Sequence, residues 1–133
     1  MKVGVFGTML LLAATFVLFA FSSVQDNPWA VPDKYEKMTN PVTSDKESIS
    51  IGKSLYNQHC KSCHGKEGLG DGPKAAQLDT PAGDFSAPEF HAQSDGALFY
   101  KSWIGRDEMP NFEKKIPDEE DMWHVVNFMR TLE

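Results

Sequence analysis

The most constraining feature of the sequence is a five-residue stretch, Cys60-Lys61-Ser62-Cys63-His64, which contains both cysteines of the chain. Because the two cysteines are only three positions apart, no disulfide can join distant parts of the chain. The pair must therefore serve something local, and the histidine beside it offers a nitrogen ligand. With 133 residues the chain has room for a single domain, so whatever binds at this stretch must lie in that domain.

This spacing of cysteines and histidine fits the covalent attachment of a haem. Two thiols three residues apart can bond to the two vinyl groups on one edge of a haem, and His64 then reaches the iron as its proximal ligand. A thioredoxin-like dithiol needs a βαβ surround, which no alternating pattern provides. Zinc needs a second Cys/His pair, and a simple disulfide leaves His64 without a role. We therefore predict one covalent haem c held by Cys60 and Cys63.

The sixth ligand of that iron separates electron transfer from ligand chemistry. Met109 lies in Gly105-Arg106-Asp107-Glu108-Met109-Pro110, where glycine ends one helix and proline delays the next, so the loop can cover the distal face. A thioether favours ferrous iron and raises the reduction potential. Met122 and Met129 stand at core spacing on an apparent helix. We predict Met109 as the distal ligand. Three other histidines are the alternatives: His59, His91 and His124.

The local signals predict an all-α fold. A capping box at Ser44-Asp45-Lys46-Glu47 opens a first helix that leads into the attachment stretch. Ser94 caps a second helix that stops at Gly105. A third helix begins near Pro117, with acidic residues at its positive end. No segment alternates as a strand does.

These motifs together resemble those of the class I monohaem cytochromes c of bacteria. The resemblance covers the region 44–133, which it implies to be a haem domain. It implies that Gly52 and Tyr56 of the first helix cross the last helix near Val125 and Phe128. It also implies that the carbonyl of Pro73, in the glycine-rich loop after His64, accepts a hydrogen bond from the Nδ1 of that histidine.

The resemblance further implies a one-electron carrier or electron-transfer subunit of a membrane respiratory chain, and not an enzyme. Its partners would be redox complexes in the membrane, such as a quinol-oxidising donor and a terminal oxidase. The alternative is a haem enzyme or small-ligand sensor of peroxidase type, which needs a labile sixth ligand. A formal net charge of −6 argues against a nucleic-acid partner.

The N-terminal residues 1–22 have the pattern of a signal peptide or a transmembrane anchor. Nineteen uncharged residues run from Val3 to Phe21. As a helix they would span roughly 28 Å at ~1.5 Å per residue, close to the hydrocarbon core of a bilayer. An uncleaved anchor is favoured over a cleaved signal, because signal peptides have shorter apolar runs. The positive charge of Lys2 favours the cytoplasmic side, which places the domain at the periplasmic face of the inner membrane. If the segment is cleaved, the domain would instead be soluble in the periplasm.

Residues 23–43 are predicted to form a proline-containing tether between this segment and the haem domain. Pro28, Pro32 and Pro41 favour an extended chain. Fully stretched, the segment would reach roughly 70 Å at ~3.3 Å per residue, enough to let the domain shuttle between complexes. The alternative is a fixed strap, with Trp29 and Tyr35 anchored in a groove of a larger complex or at the membrane interface.

Overall fold

The computed structural model of the protein describes residues 29–133, which form short and medium helices joined by loops. The α-helices are α1 (Asp33–Glu36), α2 (Lys46–His59), α3 (Lys61–His64), α4 (Pro88–His91), α5 (Asp95–Ile104) and α6 (Glu119–Met129), with a 3₁₀ turn at Ala75–Gln77. Residues 29–133 contain no strand, only an isolated bridge between Arg106 and Met109. Within this range no helix is both long and apolar enough to cross a bilayer. The predicted apolar helix of residues 1–22 lies outside the described residues.

The three longer helices begin and end close to the predicted positions. The side chain of Ser94 accepts a hydrogen bond from the Ala97 N–H, and α5 ends at Gly105, as predicted. At α2 the cap is Asp45, which accepts from the Ser48 N–H at 2.9 Å, so the predicted capping box at Ser44 is shifted by one residue. Asp118 caps α6 in the same way. Carboxylates at the N-caps satisfy backbone N–H groups that the helix leaves unpaired.

Helices α2 and α6 cross at close range and form the centre of the core. A Cβ atom at Gly52 would overlap the backbone carbonyl of His124 and lie 2.9 Å from the Cβ of Phe128. One turn later, the fully buried ring of Tyr56 packs on Phe128 with centroids 5.1 Å apart. Glycine is therefore required at the crossing because only it lets the two backbones approach this closely. The contact of Gly52 and Tyr56 with Phe128 agrees with the crossing implied by the resemblance.

A small polar network lies buried beside this crossing. The Nδ1 atom of His124 lies 2.7 Å from the hydroxyl of Ser48. The amide of Asn127 donates to the same hydroxyl at 2.8 Å and to the carbonyl of Val42, and its oxygen accepts from Asn40. Because buried polar groups are costly when unpaired, this network fixes how residues 40–48 sit against α6.

The chain from residue 29 to 43 lies against the helices and does not form the predicted free tether. The ring of Tyr35 packs on Tyr100 of α5 at 4.6 Å, and the hydroxyl of Ser94 donates to the carboxylate of Glu36 at 2.9 Å. Gly96 leaves room for the backbone carbonyl of Tyr35, which an added Cβ would overlap. The described part of the tether thus packs on the helices of its own domain. We call residues 29–43 the strap.

Replacing Gly96 with alanine should detach the strap from α5. The added methyl group meets backbone at Tyr35, which cannot move without moving the strap, and overpacking of this kind costs about 1–3 kcal/mol. We expect faster tryptic cleavage at Lys34 and Lys37 and a lower free energy of unfolding. Ser102→Ala, a similarly small change on α5, should leave both unchanged. Wild-type protection of the strap in Gly96→Ala would contradict the close packing seen here.

Candidate haem site

A single cavity of about 640 Å³ brings together the residues that the sequence predicted as ligands and attachment points. Four of these residues line it: Cys60, Cys63, His64 and Met109. The volume falls within the ~300–1,000 Å³ typical of sites for small molecules and cofactors. Residues 45 or more positions apart in the chain therefore meet at one place, as haem ligation requires.

The attachment cysteines are placed by a single helical turn that continues from the end of α2. The backbone N–H groups of Cys63 and His64 both donate to the carbonyl of Cys60, at 3.1 and 3.0 Å. Residues three apart on a helix share one face, so both thiols point toward the same edge of the cavity. Burial, reinforced by the neighbouring Cys63, raises the pKa of the Cys60 thiol to about 12. Without the haem, this thiol is therefore neutral at physiological pH.

The phenol of Tyr56 fixes the far end of the attachment turn. Its hydroxyl donates to the carbonyl of Gly65, directly after His64, at 2.8 Å. Burial, and more weakly the nearby Cys60 and two carboxylates, raise the pKa of Tyr56 above its ordinary value. The phenol stays protonated and remains a donor across the physiological range. One side chain of the α2–α6 crossing thus also positions the residue beside the proximal ligand.

The imidazole of His64 is held in a form suited to metal ligation. Its ring packs on Phe85 with centroids 4.6 Å apart, and Phe85 in turn stacks on Phe90 at 4.5 Å. Burial lowers the pKa of His64, while the backbone carbonyl of Ala82 acts in the opposite direction. The neutral imidazole that burial favours is the form that binds iron. Its Nδ1 atom is buried without a hydrogen-bond partner.

The hydrogen bond expected between His64 Nδ1 and the Pro73 carbonyl is not present in the structure. Pro73 lies outside the cavity lining, because its neighbours bind the backbone of the attachment turn: Gly72 donates to the Cys63 carbonyl and Lys74 to the Ser62 carbonyl. The segment that reaches His64 comes later in the chain, at Ala82. Pro73 shapes the return of the loop and does not orient the imidazole.

Met109 is carried by a tight turn after α5. Arg106 and Met109 exchange two backbone hydrogen bonds of 2.9 Å, and Asp107 within the turn has a φ of 53°. Gly105 has a φ of 71°, and a Cβ there would overlap the carbonyls of Met109 and Pro110. Glycine is needed because the chain reverses sharply in a left-handed conformation at this point. The turn places a thioether at the cavity wall, where the loop pattern predicted it.

The three other histidines occupy different places. His91 Nε2 lies 2.9 Å from the carbonyl of Leu132, and His124 belongs to the buried network with Ser48. Neither lines the cavity. His59 does line it, with its ring 6.1 Å from that of Phe112, next to Cys60 in the chain.

The strap contributes one cavity residue that sequence reasoning did not assign to the site. Trp29 lines the cavity, and its ring lies 4.6 Å from the guanidinium carbon of Arg106 and 5.9 Å from the ammonium of Lys101. Cations over an aromatic face are attracted by its quadrupole. Burial lowers the pKa of Lys101, with Arg106 adding to the effect and Glu36 opposing it. The only signal in the sequence for a role of Trp29 at the cavity was its place as an aromatic residue between Pro28 and Pro32.

The residues around the cavity fit a covalently bound haem. Two thiols on one helical face, a neutral imidazole beside them and a soft thioether in the same cavity match the donors that c-type haem requires. A zinc site is not supported, because residues 29–133 contain no cluster of three or more His, Cys, Asp or Glu side chains able to hold a metal ion.

Comparisons with known proteins agree with this fit. Residues 49–133 match the family model for cytochrome c. A chain of the reducing HAO-like protein complex Kustc0457/Kustc0458 of Kuenenia stuttgartiensis is 26% identical, with a TM-score of 0.63 over 69% of this chain and 46% of that one. The c-type cytochrome KustC0563 is 30% identical, with a TM-score of 0.54 over 62% of this chain and 96% of that one.

A shorter stretch of the chain is similar in sequence to part of an enzyme. Over 38 residues it is 45% identical to quinohemoprotein alcohol dehydrogenase ADH IIB of Pseudomonas putida. The match covers 29% of this chain but only 6% of the dehydrogenase. With a family model covering most of the described residues and a cavity that fits the cofactor, the chain belongs to the cytochrome c family and carries covalent haem c.

Proposed function

We propose that this protein is a one-electron carrier, or an electron-transfer subunit of a larger oxidoreductase complex, with a haem iron ligated by His64 and Met109. The observation that carries the proposal is that both side chains line the same cavity as the two attachment cysteines. When bound, the haem supplies reversible exchange between ferric and ferrous iron. Two protein ligands leave no coordination site for a substrate, which suits electron transfer.

The side chains of the protein set the conditions for that exchange. Thioethers from Cys60 and Cys63 would hold the haem edge against the attachment turn. The neutral His64 supplies a nitrogen ligand, and packing on Phe85 fixes its ring plane. Met109 stabilises the ferrous state and raises the reduction potential. Buried Phe112 lines the cavity beside Met109 and keeps water from that side.

The names of the similar proteins support a role among redox partners. One belongs to a reducing HAO-like protein complex, another is a c-type cytochrome, and a third is a quinohemoprotein dehydrogenase. We infer that the haem passes electrons between a donor complex, such as a quinol-oxidising one, and an acceptor such as a terminal oxidase. We place this exchange at the periplasmic face of the inner membrane, with residues 1–22 as an anchor, because c-type haem is attached outside the cytoplasm.

Optical spectroscopy and redox titration of the purified holoprotein test the proposal. We expect a low-spin ferric spectrum, a single one-electron transition in the potentiometric titration, and a ferrous form that does not bind carbon monoxide. Closed six-coordination explains all three results. A high-spin ferric spectrum, or rapid binding of carbon monoxide, would instead support a haem enzyme or small-ligand sensor.

A further inference from the structure

The carboxylate of Glu108, next to Met109, connects the turn of Met109 to a second loop that lines the haem cavity. Its Oε2 atom accepts hydrogen bonds from the backbone N–H groups of Asp79 at 2.8 Å and Thr80 at 3.0 Å. Glu108 and Thr80 are both cavity-lining residues. The contact therefore joins two cavity-lining segments that are 28 residues apart in sequence.

Both segments that it joins line the cavity. The turn 105–110 holds Met109, and the loop 78–82 contributes Leu78, Thr80, Pro81 and Ala82 to the same lining. A carboxylate that receives two adjacent N–H groups makes charge-assisted hydrogen bonds, which are about twice as strong as neutral ones. The position of the turn that carries Met109 is thereby linked to the loop 78–82.

The turn also has contacts near its two ends, among them the guanidinium of Arg106 over the ring of Trp29. The paired bonds between Arg106 and Met109 lie within the turn, so they move with it. The next tie along the chain is the Phe112 N–H, which donates to the Trp103 carbonyl at 3.0 Å and restrains the exit of the turn. Glu108 acts at the middle of the turn, one residue from the thioether.

We propose that Glu108 is a positioning residue that holds Met109 on the haem iron by fastening the distal turn to the loop 78–82. This inference rests on the proposed His64/Met109 ligation. Exchange of the sixth ligand requires the turn to swing away from the iron, which is a local opening whose frequency depends on what fastens it. A bond between two exposed loops with no role at the iron would leave that frequency unchanged.

The test compares ferric holoprotein of the wild type with the variants Glu108→Ala and Glu113→Ala. Glu113 is also exposed, lies in the same segment and carries the same charge, so its removal controls for net charge. We expect imidazole to displace the thioether from Glu108→Ala at least about tenfold faster than from the wild type, a change of ~1.4 kcal/mol in the opening free energy. The charge-transfer band of the thioether–iron bond should weaken in Glu108→Ala and persist in Glu113→Ala.

Glu108→Gln provides a second test, which also applies if the alanine variant yields no folded holoprotein. The amide oxygen still accepts hydrogen bonds but carries no charge, so its imidazole rate should fall between those of the wild type and the alanine variant. Equal rates in the wild type and all three variants would overturn the inference while leaving the ligation intact. A wild type that lacks the thioether–iron band would overturn the proposed ligation itself, and with it the role of Glu108.

Discussion

Replacing Met109 with alanine should convert the ferric iron from low spin to high spin and let carbon monoxide bind the ferrous form. The methyl side chain cannot reach the iron, so the sixth position would be left to water or to an added ligand. Loss of the thioether also removes its preference for ferrous iron. We expect the reduction potential to fall by on the order of 0.1 V, within the ~0.8 V range that axial ligands cover. Absorption spectra and potentiometry measure both effects.

Met122→Ala is the matched control for this experiment. Met122 is 1% exposed in the core, so its truncation should cost about 2–5 kcal/mol in the free energy of unfolding. The haem iron of Met122→Ala should nevertheless remain low spin, and its ferrous form should not bind carbon monoxide. If Met109→Ala keeps the low-spin spectrum of the wild type, another side chain ligates the iron. His59 would be the first candidate, because it also lines the cavity.

Replacing Gly52 with alanine should lower the free energy of unfolding of the holoprotein by about 3 kcal/mol or more, at the upper end of overpacking effects. The added methyl group would overlap the His124 carbonyl and crowd the Cβ of Phe128, and neither is a flexible side-chain end. To relieve the clash α2 and α6 must separate, which also loosens Tyr56 and the attachment turn that it holds. Denaturant unfolding of the holoprotein measures the loss.

Lys53→Ala controls for the change of helix composition. Lys53 is the next residue of α2 and is exposed, so its replacement should stay within about 0.5 kcal/mol of the wild type. A similarly small effect of Gly52→Ala would mean that the two helices do not approach as closely as the structure shows.

The parts of the site that could be predicted from the sequence are those whose chemistry is local. Cys60, Cys63 and His64 share one helical turn, so their spacing alone indicates what they can hold. The turn of Met109 is bounded by Gly105 and Pro110, whose backbone restrictions act within a few residues. Ser94 and Asp118 cap their helices by the same local rule.

The parts that could not be predicted depend on contacts between distant segments. Pro73 is in a suitable place along the chain, but the bonds of its neighbours to Ser62 and Cys63 direct it away from the imidazole. His124 was an alternative iron ligand, but it is buried away from the cavity, where its Nδ1 atom pairs with Ser48 of another helix. The strap was predicted as a tether from its prolines, which say nothing about the room left for it at Gly96.

The position of Trp29 limits how far the haem cavity could lie from a membrane. Trp29 lines the cavity, so the chain passes beside the haem at this residue. With residues 1–22 in the bilayer as proposed, only the six residues 23–28 separate the bilayer from Trp29. At ~3.3 Å per residue, they span at most roughly 20 Å, in place of the 70 Å of a free tether. The haem would then stay close to the bilayer and exchange electrons with a neighbour in the same membrane, because it could not travel between distant complexes.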